Sequence, residues 1–321
     1  MIELMIDRKN GSVWDLGQIV TDISWKTSRQ AKPASLDINY VNDGLAQSKA
    51  FEVENGDIVR FRKDNKDLFY GYVFSKEWGM DAQVKVMAYD QLRYLSSNDT
   101  YRFTNAKVED IIRKIAKDFN LKTGTLVDTG HTIPAMLEAD KKLIDIICKA
   151  LDSTLIATKQ YYMFYDRYGE LTLTNINDML LMLAVGEDSL MTDFSYKKSI
   201  DNETYNRIKV VRDNKQTGKR DVYLYQHGQN IAQWGLLQLY EVADENMNPA
   251  QLKQLAQNLL ELKNREQQTL SIEAIGDLRV RAGNTIYVNL PEEGLKPYLI
   301  DECTHKFSDG THTMSLNMKV V

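Results

Sequence analysis

Hydrophobic and polar positions alternate most regularly between Gly283 and Met318. The run Gly283-Asn284-Thr285-Ile286-Tyr287-Val288 precedes a polar break from Pro291 to Gly294, then come Tyr298-Leu299-Ile300, Asp309-Gly310 and Met314-Ser315-Leu316-Asn317-Met318. Side chains on a strand alternate faces, so Ile286 and Val288 share one face with Asn284 while Thr285 and Tyr287 take the other. Asp-Gly between two such runs marks a hairpin, because its turn needs positive backbone angles. The pattern predicts three strands in a meander. The same order occurs earlier: Gly56-Asp57-Ile58-Val59-Arg60-Phe61, a polar break from Asp64 to Asp67, Phe69 to Val73, and Val84-Lys85-Val86. Upstream, Ser24-Trp25-Lys26-Thr27-Ser28 is echoed by Ser195-Tyr196-Lys197-Lys198-Ser199, and each block precedes its own meander. The order predicts a duplication. Ser24 lies 32 residues before Gly56 and Ser195 lies 88 before Gly283, so the second copy should carry an insertion of about one helix plus a hairpin.

Between these copies the period changes. Residues 1–102 read as short strands, Ile19 to Trp25, Leu36 to Val41, Ile58 to Phe61, Phe69 to Phe74 and Val84 to Tyr89, and strands at this spacing predict a small barrel. Thr104 or Asn105 is placed to cap a helix with Val108, Ile111, Ile112, Ile115 and Phe119 on one stripe, and Leu143, Ile146, Ile147, Ala150 and Leu151 form a second stripe. The aromatic strand Tyr161 to Tyr165, turning at Gly169 into Leu171 to Thr174, is expected to cover both helices. From Phe194 the strand period returns, through Arg207 to Val211, Val222 to Tyr225 and Leu236 to Tyr240. Asn248-Pro249 opens a helix over about 249–265. Its stripe of Leu252, Leu255, Leu259 and Leu262 is too short for a coiled coil and predicts packing on the adjoining barrel. The fold class is therefore mainly β with an α+β insert: a first β-barrel over 1–102, the insert over 103–192, and a similar second barrel over 193–321 that carries the extra helix.

The 321 residues exceed one small core, at about 150 residues per domain. With 40 basic against 45 acidic residues the formal charge is −5, which argues against nucleic-acid binding as the main activity. The start, Met1 to Asp7, lacks the basic n-region of a secretory signal, and the longest apolar run, Met179 to Val185, falls far short of the roughly 20 residues that cross a bilayer. Cys148 and Cys303 read as two buried thiols, so the chain is expected to fold in a cytoplasm.

The sequence insists on no chemistry. Phosphate-cradling glycine loops, zincin helices, nucleophile elbows and paired Cys-x-x-Cys sites are missing, so no catalytic, cofactor-binding or metal residue is assigned. Of His131, His227, His305 and His312 only the last two are neighbours, and a two-residue turn at Asp309-Gly310 places Phe307 opposite His312. Glu292-Glu293 and Asp301-Glu302 are the loose carboxylate pairs a glycosidase would draw on, and they read as solvated surface. The run Tyr161 to Tyr165 has the composition of a sugar-stacking platform and equally that of a half-buried strand. Sequons at Asn10, Asn98 and Asn202 carry no meaning without secretion.

Several stretches resemble one family. Ile23-Ser24-Trp25, Gly56 to Val59, Phe69 to Val73 and Ala88 to Leu95 look like the XkdQ-type baseplate hub proteins of contractile phage tails and phage-like elements. So do Asp188 to Tyr196 leading into Tyr205 to Val210, Trp234 to Gln238, and the closing meander. The likeness covers nearly the whole chain without a single diagnostic motif. It implies a non-enzymatic hub related to late control D-type tail proteins and to the hub-like part of secretion-system spikes. Two similar barrels per subunit would alternate around a homotrimer that joins a six-fold tail tube to a three-fold spike. Implied partners are the tail tube, spike and other baseplate proteins, without specific nucleic acid or membrane insertion. The implied location is the host bacterial cytoplasm during assembly, then the baseplate of a phage, defective prophage or tail-like bacteriocin. Some relatives carry wall-degrading modules after the second barrel; here Val321 follows the last strand, so none is expected. The alternative is a carbohydrate-active tail protein that binds or cuts cell wall, resting on the aromatic strands and loose carboxylates.

Overall fold

Alternating apolar positions become strands wherever a neighbouring strand covers one face. The computed structural model describes residues 1–42, 51–80, 82–187, 189–214, 218–245, 247–291 and 293–320; Asp188, Glu292 and Val321 lie outside them. Five strands of a first unit, Val20–Ser28, Ser35–Val41, Gln83–Tyr89, Lys66–Trp78 and Ile58–Lys63, are hydrogen-bonded antiparallel in that spatial order. Met191–Ser199, Gln267–Ile275, Thr311–Val320, Gly294–Ser308 and Thr285–Leu290 repeat it. The registers coincide as well. Trp25 faces Leu36 as Tyr196 faces Leu270, and Ile58 faces Tyr72 as Thr285 faces Leu299. Pairing slips between Val73 and Ser75 in one unit and between Ile300 and Glu302 in the other. A shared bulge at the same place is a feature of the design rather than an accident of one strand.

The sequence predicts two separate barrels, and here the structure differs. Among the described residues neither ladder closes on itself; both units belong to one 13-stranded sheet. The physical reason is strand length. Gly294–Ser308 outruns its neighbour Thr285–Leu290, and the edge left free from Glu302 to Ser308 pairs with Asp22–Ser28 of the other unit. Each unit keeps its own core, one around Leu4, Leu36, Val59 and Phe61, the other around Leu270, Ile286, Val288 and Leu316. Ile2–Asp7, not read as a strand from sequence, extends the first unit beside Ile58–Lys63.

Between the units, helices Val108–Asp118 and Leu143–Thr158 bury the expected stripes against the three-stranded sheet of Thr123–Leu126, Tyr162–Asp166 and Leu171–Asn175. The cap expected at Thr104 or Asn105 is corrected. Asn98–Ala106 continues as a strand paired with Ile133–Lys142, and the helix starts after Lys107, whose N–H donates to Asp110 at 3.2 Å. Leu180–Gly186, inside the stretch assigned to the insert, runs parallel beside Thr285–Leu290. The extra segment of the second unit is larger than one helix and a hairpin. Arg207–Asn214, Lys219–Gln226 and Gln238–Val242 form a separate three-stranded sheet. Helix Pro249–Lys263, with Asn248 and Gln251 in a reciprocal capping box, buries Leu252 and Leu259 against that sheet and not against a barrel.

Candidate functional site

The two units meet along the antiparallel seam of Asp22–Ser28 and Glu302–Ser308. Alternation points Ile23, Trp25 and Thr27 to the same face as Cys303, His305 and Phe307, and all six are buried. Trp25 stacks on His305 with ring centres 5.2 Å apart and planes 17° apart. Phe307 reaches into the first core and meets Phe61 edge-on at 5.3 Å. On the outer side, Glu302 lies 3.1 Å from Lys26 and 3.6 Å from Lys32. Asp301, in the bulge, is held between Arg29 at 2.6 Å and Lys319 at 2.7 Å. These contacts fasten one unit to the other.

His305 and His312 meet despite the register. Phe307 faces His312 as the sequence predicts, but His305 reaches diagonally along the same face, and its Nδ1 lies 2.9 Å from His312 Nε2. Val280 O, which only accepts, lies 2.8 Å from His305 Nε2, so that nitrogen carries the proton and Nδ1 accepts from His312. Burial, then the neighbouring His305 and Lys63, push His312 down to about 4. Among the described residues no group of three or more His, Cys, Asp or Glu is arranged to hold a metal ion.

Both glycine-led turns are built from the same bonds. Gly56 N–H donates to Val73 O at 2.8 Å and Val73 N–H to Asp57 O at 2.9 Å; Gly283 donates to Ile300 O and Ile300 to Asn284 O at the same two distances. The Asp57 side chain accepts from Glu54 N–H and that of Asn284 from Arg281 N–H, both at 2.8 Å. Asn284 has an amide where Asp57 has a second oxygen, and that amide donates to Met179 O at 2.9 Å, which ties the second unit to the middle segment.

A buried polar junction joins first unit, insert and second unit. Asp90 accepts from Ala34 N–H at 2.9 Å and caps the turn Gln91–Ser96 through Leu92 N–H at 3.0 Å. Gln91 donates to Asp166 at 2.8 Å. Arg281 donates to Asp166 O at 3.3 Å and lies over the Tyr165 ring at 4.1 Å. Burial pushes the Asp90 and Asp166 carboxyls above the ordinary carboxylate range. Arg281 also lines a cleft of about 610 Å³, together with Lys66, Arg167, Tyr168, Glu170 and Arg279.

The groups singled out for chemistry are scattered. Tyr161 to Tyr165 is no open platform: Phe164 and Tyr165 are buried and Tyr162 donates to Thr129 O. Asp301 and Glu302 are both engaged by cations, and Glu293 is held down at about 2 by Lys198 and Lys296. Its expected partner Glu292 lies outside the described residues. Cys303 is buried, and Cys148 is partly so. No described helix is long and apolar enough to cross a membrane. Sequence reasoning missed the seam, because no side-chain pattern marks which free strand edge pairs with which.

The family model of YQBQ-like proteins matches residues 23–319. The chain belongs to this family. It is 33% identical to phage-like element PBSX protein XkdQ of Bacillus subtilis (strain 168), over 99% of this chain and 97% of that one. Its fold is similar to the 43 kDa tail protein of prophage MuSo2 from Shewanella oneidensis, with TM-score 0.74 at 12% identity, covering 99% and 97% of the two chains. It is also similar to the E. coli c3393 protein, a type VI secretion component described as structurally similar to the T4 bacteriophage tail proteins gp27 and gp5, with TM-score 0.59 at 11% identity over 99% and 77%. At these identities the two structural likenesses are likenesses of fold.

Proposed function

We propose that this chain is a structural, non-enzymatic baseplate hub of a contractile phage tail or phage-tail-like particle. The observation that carries the reading is its similarity, over nearly the whole length of both chains, to a protein of a phage-like element. The repeat supplies the mechanism. Two units of one strand order and register on each chain give three chains six similar faces, so a homotrimer seats a three-fold spike beneath a six-fold tube. In this reading 1–102 and 193–321 each act as one block of the ring, with 103–192 between them and its strand Leu180–Gly186 lent to the second block. The partners are the tube, spike and neighbouring baseplate proteins. The carbohydrate-active alternative has lost its motivation with the burial of Phe164 and Tyr165 and the ion pairs of Asp301 and Glu302. Native mass measurement of the chain, alone and with a candidate spike protein from the same source, tests the proposal. Three copies in the complex are expected; a stable dimer, or a 1:1 complex that never reaches three copies, would overturn it.

A further inference from the structure

The seam between the units is encoded twice but formed once within the chain. By the repeat, Met191–Ser199 corresponds to Val20–Ser28, and Ser75–Met80 corresponds to Glu302–Phe307. Val20–Ser28 and Glu302–Phe307 are paired with each other. Their counterparts are not: Met191–Ser199 is an end strand of the sheet, and no described strand lies along the outer edge of Ser75–Trp78. Side-chain exposure follows the same division. In the formed seam Ile23, Trp25, His305 and Phe307 are at most 4% exposed. Of their counterparts, Phe194 is 38% exposed, Trp78 is 67% exposed, Met80 stands fully in solvent and Tyr196 is half-buried. A free strand edge flanked by large apolar side chains is a surface that proteins ordinarily cover.

We propose that Met191–Ser199 pairs antiparallel with Ser75–Met80 of a second copy of this chain, repeating between molecules the seam formed within one. The proposal rests on the hub reading for the size of the assembly and adds the surface that builds it. The register follows from the inner seam: Phe194 opposite Met80, Ser195 opposite Gly79, Tyr196 opposite Trp78, Lys197 opposite Glu77 and Ser199 opposite Ser75. Tyr196 then stacks on Trp78 as Trp25 stacks on His305, and Lys197 meets an opposite charge. Lys198 and Lys76 also come face to face. Each has a carboxylate of its own, Glu293 at 2.8 Å and Glu54 at 4.0 Å. The two edges are different surfaces, so the contact is head-to-tail and either closes into a ring or runs on as a filament.

The test is disulfide trapping in the full-length chain carrying Glu77→Cys and Lys197→Cys, both exposed positions, under mild oxidation with copper phenanthroline. Directly opposed Cβ atoms lie about 4.5–5.5 Å apart, close enough for a bridge after slight adjustment. At least tenfold more interchain product is expected than from the pair Lys85→Cys and Lys197→Cys, since Lys85 faces Glu77 from the next strand and lies one strand further from the contact, and adding Trp78→Glu should remove that excess. Linked species that stop at three chains support both the pairing and the ring. A ladder that continues past three keeps the pairing and removes the closed trimer. Product no greater than the control overturns the pairing, and where native mass still finds three copies, the trimer is built on another face.

Discussion

Gly56 and Gly283 occupy the same turn with φ of +91° and +89°, a region that a side chain enters only with strain. Their surroundings differ. A Cβ on Gly56 would meet nothing within 4 Å, whereas one on Gly283 would lie 3.0 Å from Met179 Cε and 3.1 Å from Met163 Cγ. Gly56→Ala is therefore expected to cost about 1 kcal/mol, the backbone contribution alone. Gly283→Ala should cost more, about 2 kcal/mol, because two buried methionines must also move. Urea unfolding of both variants checks the order; equal midpoints to the parent would show that the angle carries no strain. The sequence marked both positions, since Gly before a strand run is a local signal. That only one of them is crowded depends on residues more than a hundred positions away.

At the scale of elements, the hairpin of Gly294–Ser308 and Thr311–Val320 holds two neutral imidazoles against each other. Protonating His312 removes nothing from its own donor, but it places a cation beside Lys63 and in a half-buried site. The folded value of His312, about 4, is below its ordinary one, so the unfolded chain takes up the proton first as pH falls. Stability from this group is complete above about pH 6.5 and is lost as pH falls through about 4. Midpoints of thermal unfolding measured from pH 7 to pH 4 should fall less steeply in His312→Gln than in the parent. Identical slopes would remove His312 from the account. The turn and the Phe307–His312 register were legible because Asp-Gly fixes a two-residue loop. The diagonal contact was not, since it depends on how Trp25 from the other unit turns the His305 ring.

Across the whole molecule, the seam is expected to make the two units unfold as one body. Trp25 belongs to the first core yet stacks on His305 of the second unit, and Phe307 of the second unit packs in the first core. Trp25→Ala is thus expected to cost about 3–5 kcal/mol, the range for a buried aromatic, and to lower a single unfolding transition. Two resolved transitions by calorimetry would show that the units unfold independently.

Alternation, turn residues and the Gly-led echo determined by themselves which stretches become strands, where both meanders lie, and that the chain repeats itself. Such signals are local, and period 2 survives whatever the strand pairs with. The strands at Ile2–Asp7, Asn98–Ala106, Ile133–Lys142 and Gln267–Ile275 escaped them, because pairing with distant partners decides their state, as Ile58–Lys63 does for the first and Thr311–Val320 for the last. Only the tertiary structure decided that Glu302–Ser308 outruns its own neighbour and takes an edge from the other unit, turning two expected barrels into one sheet. Edges carry no side-chain pattern of their own: backbone groups are the same in every residue, and which of them meet is settled by strand lengths and packing across the molecule.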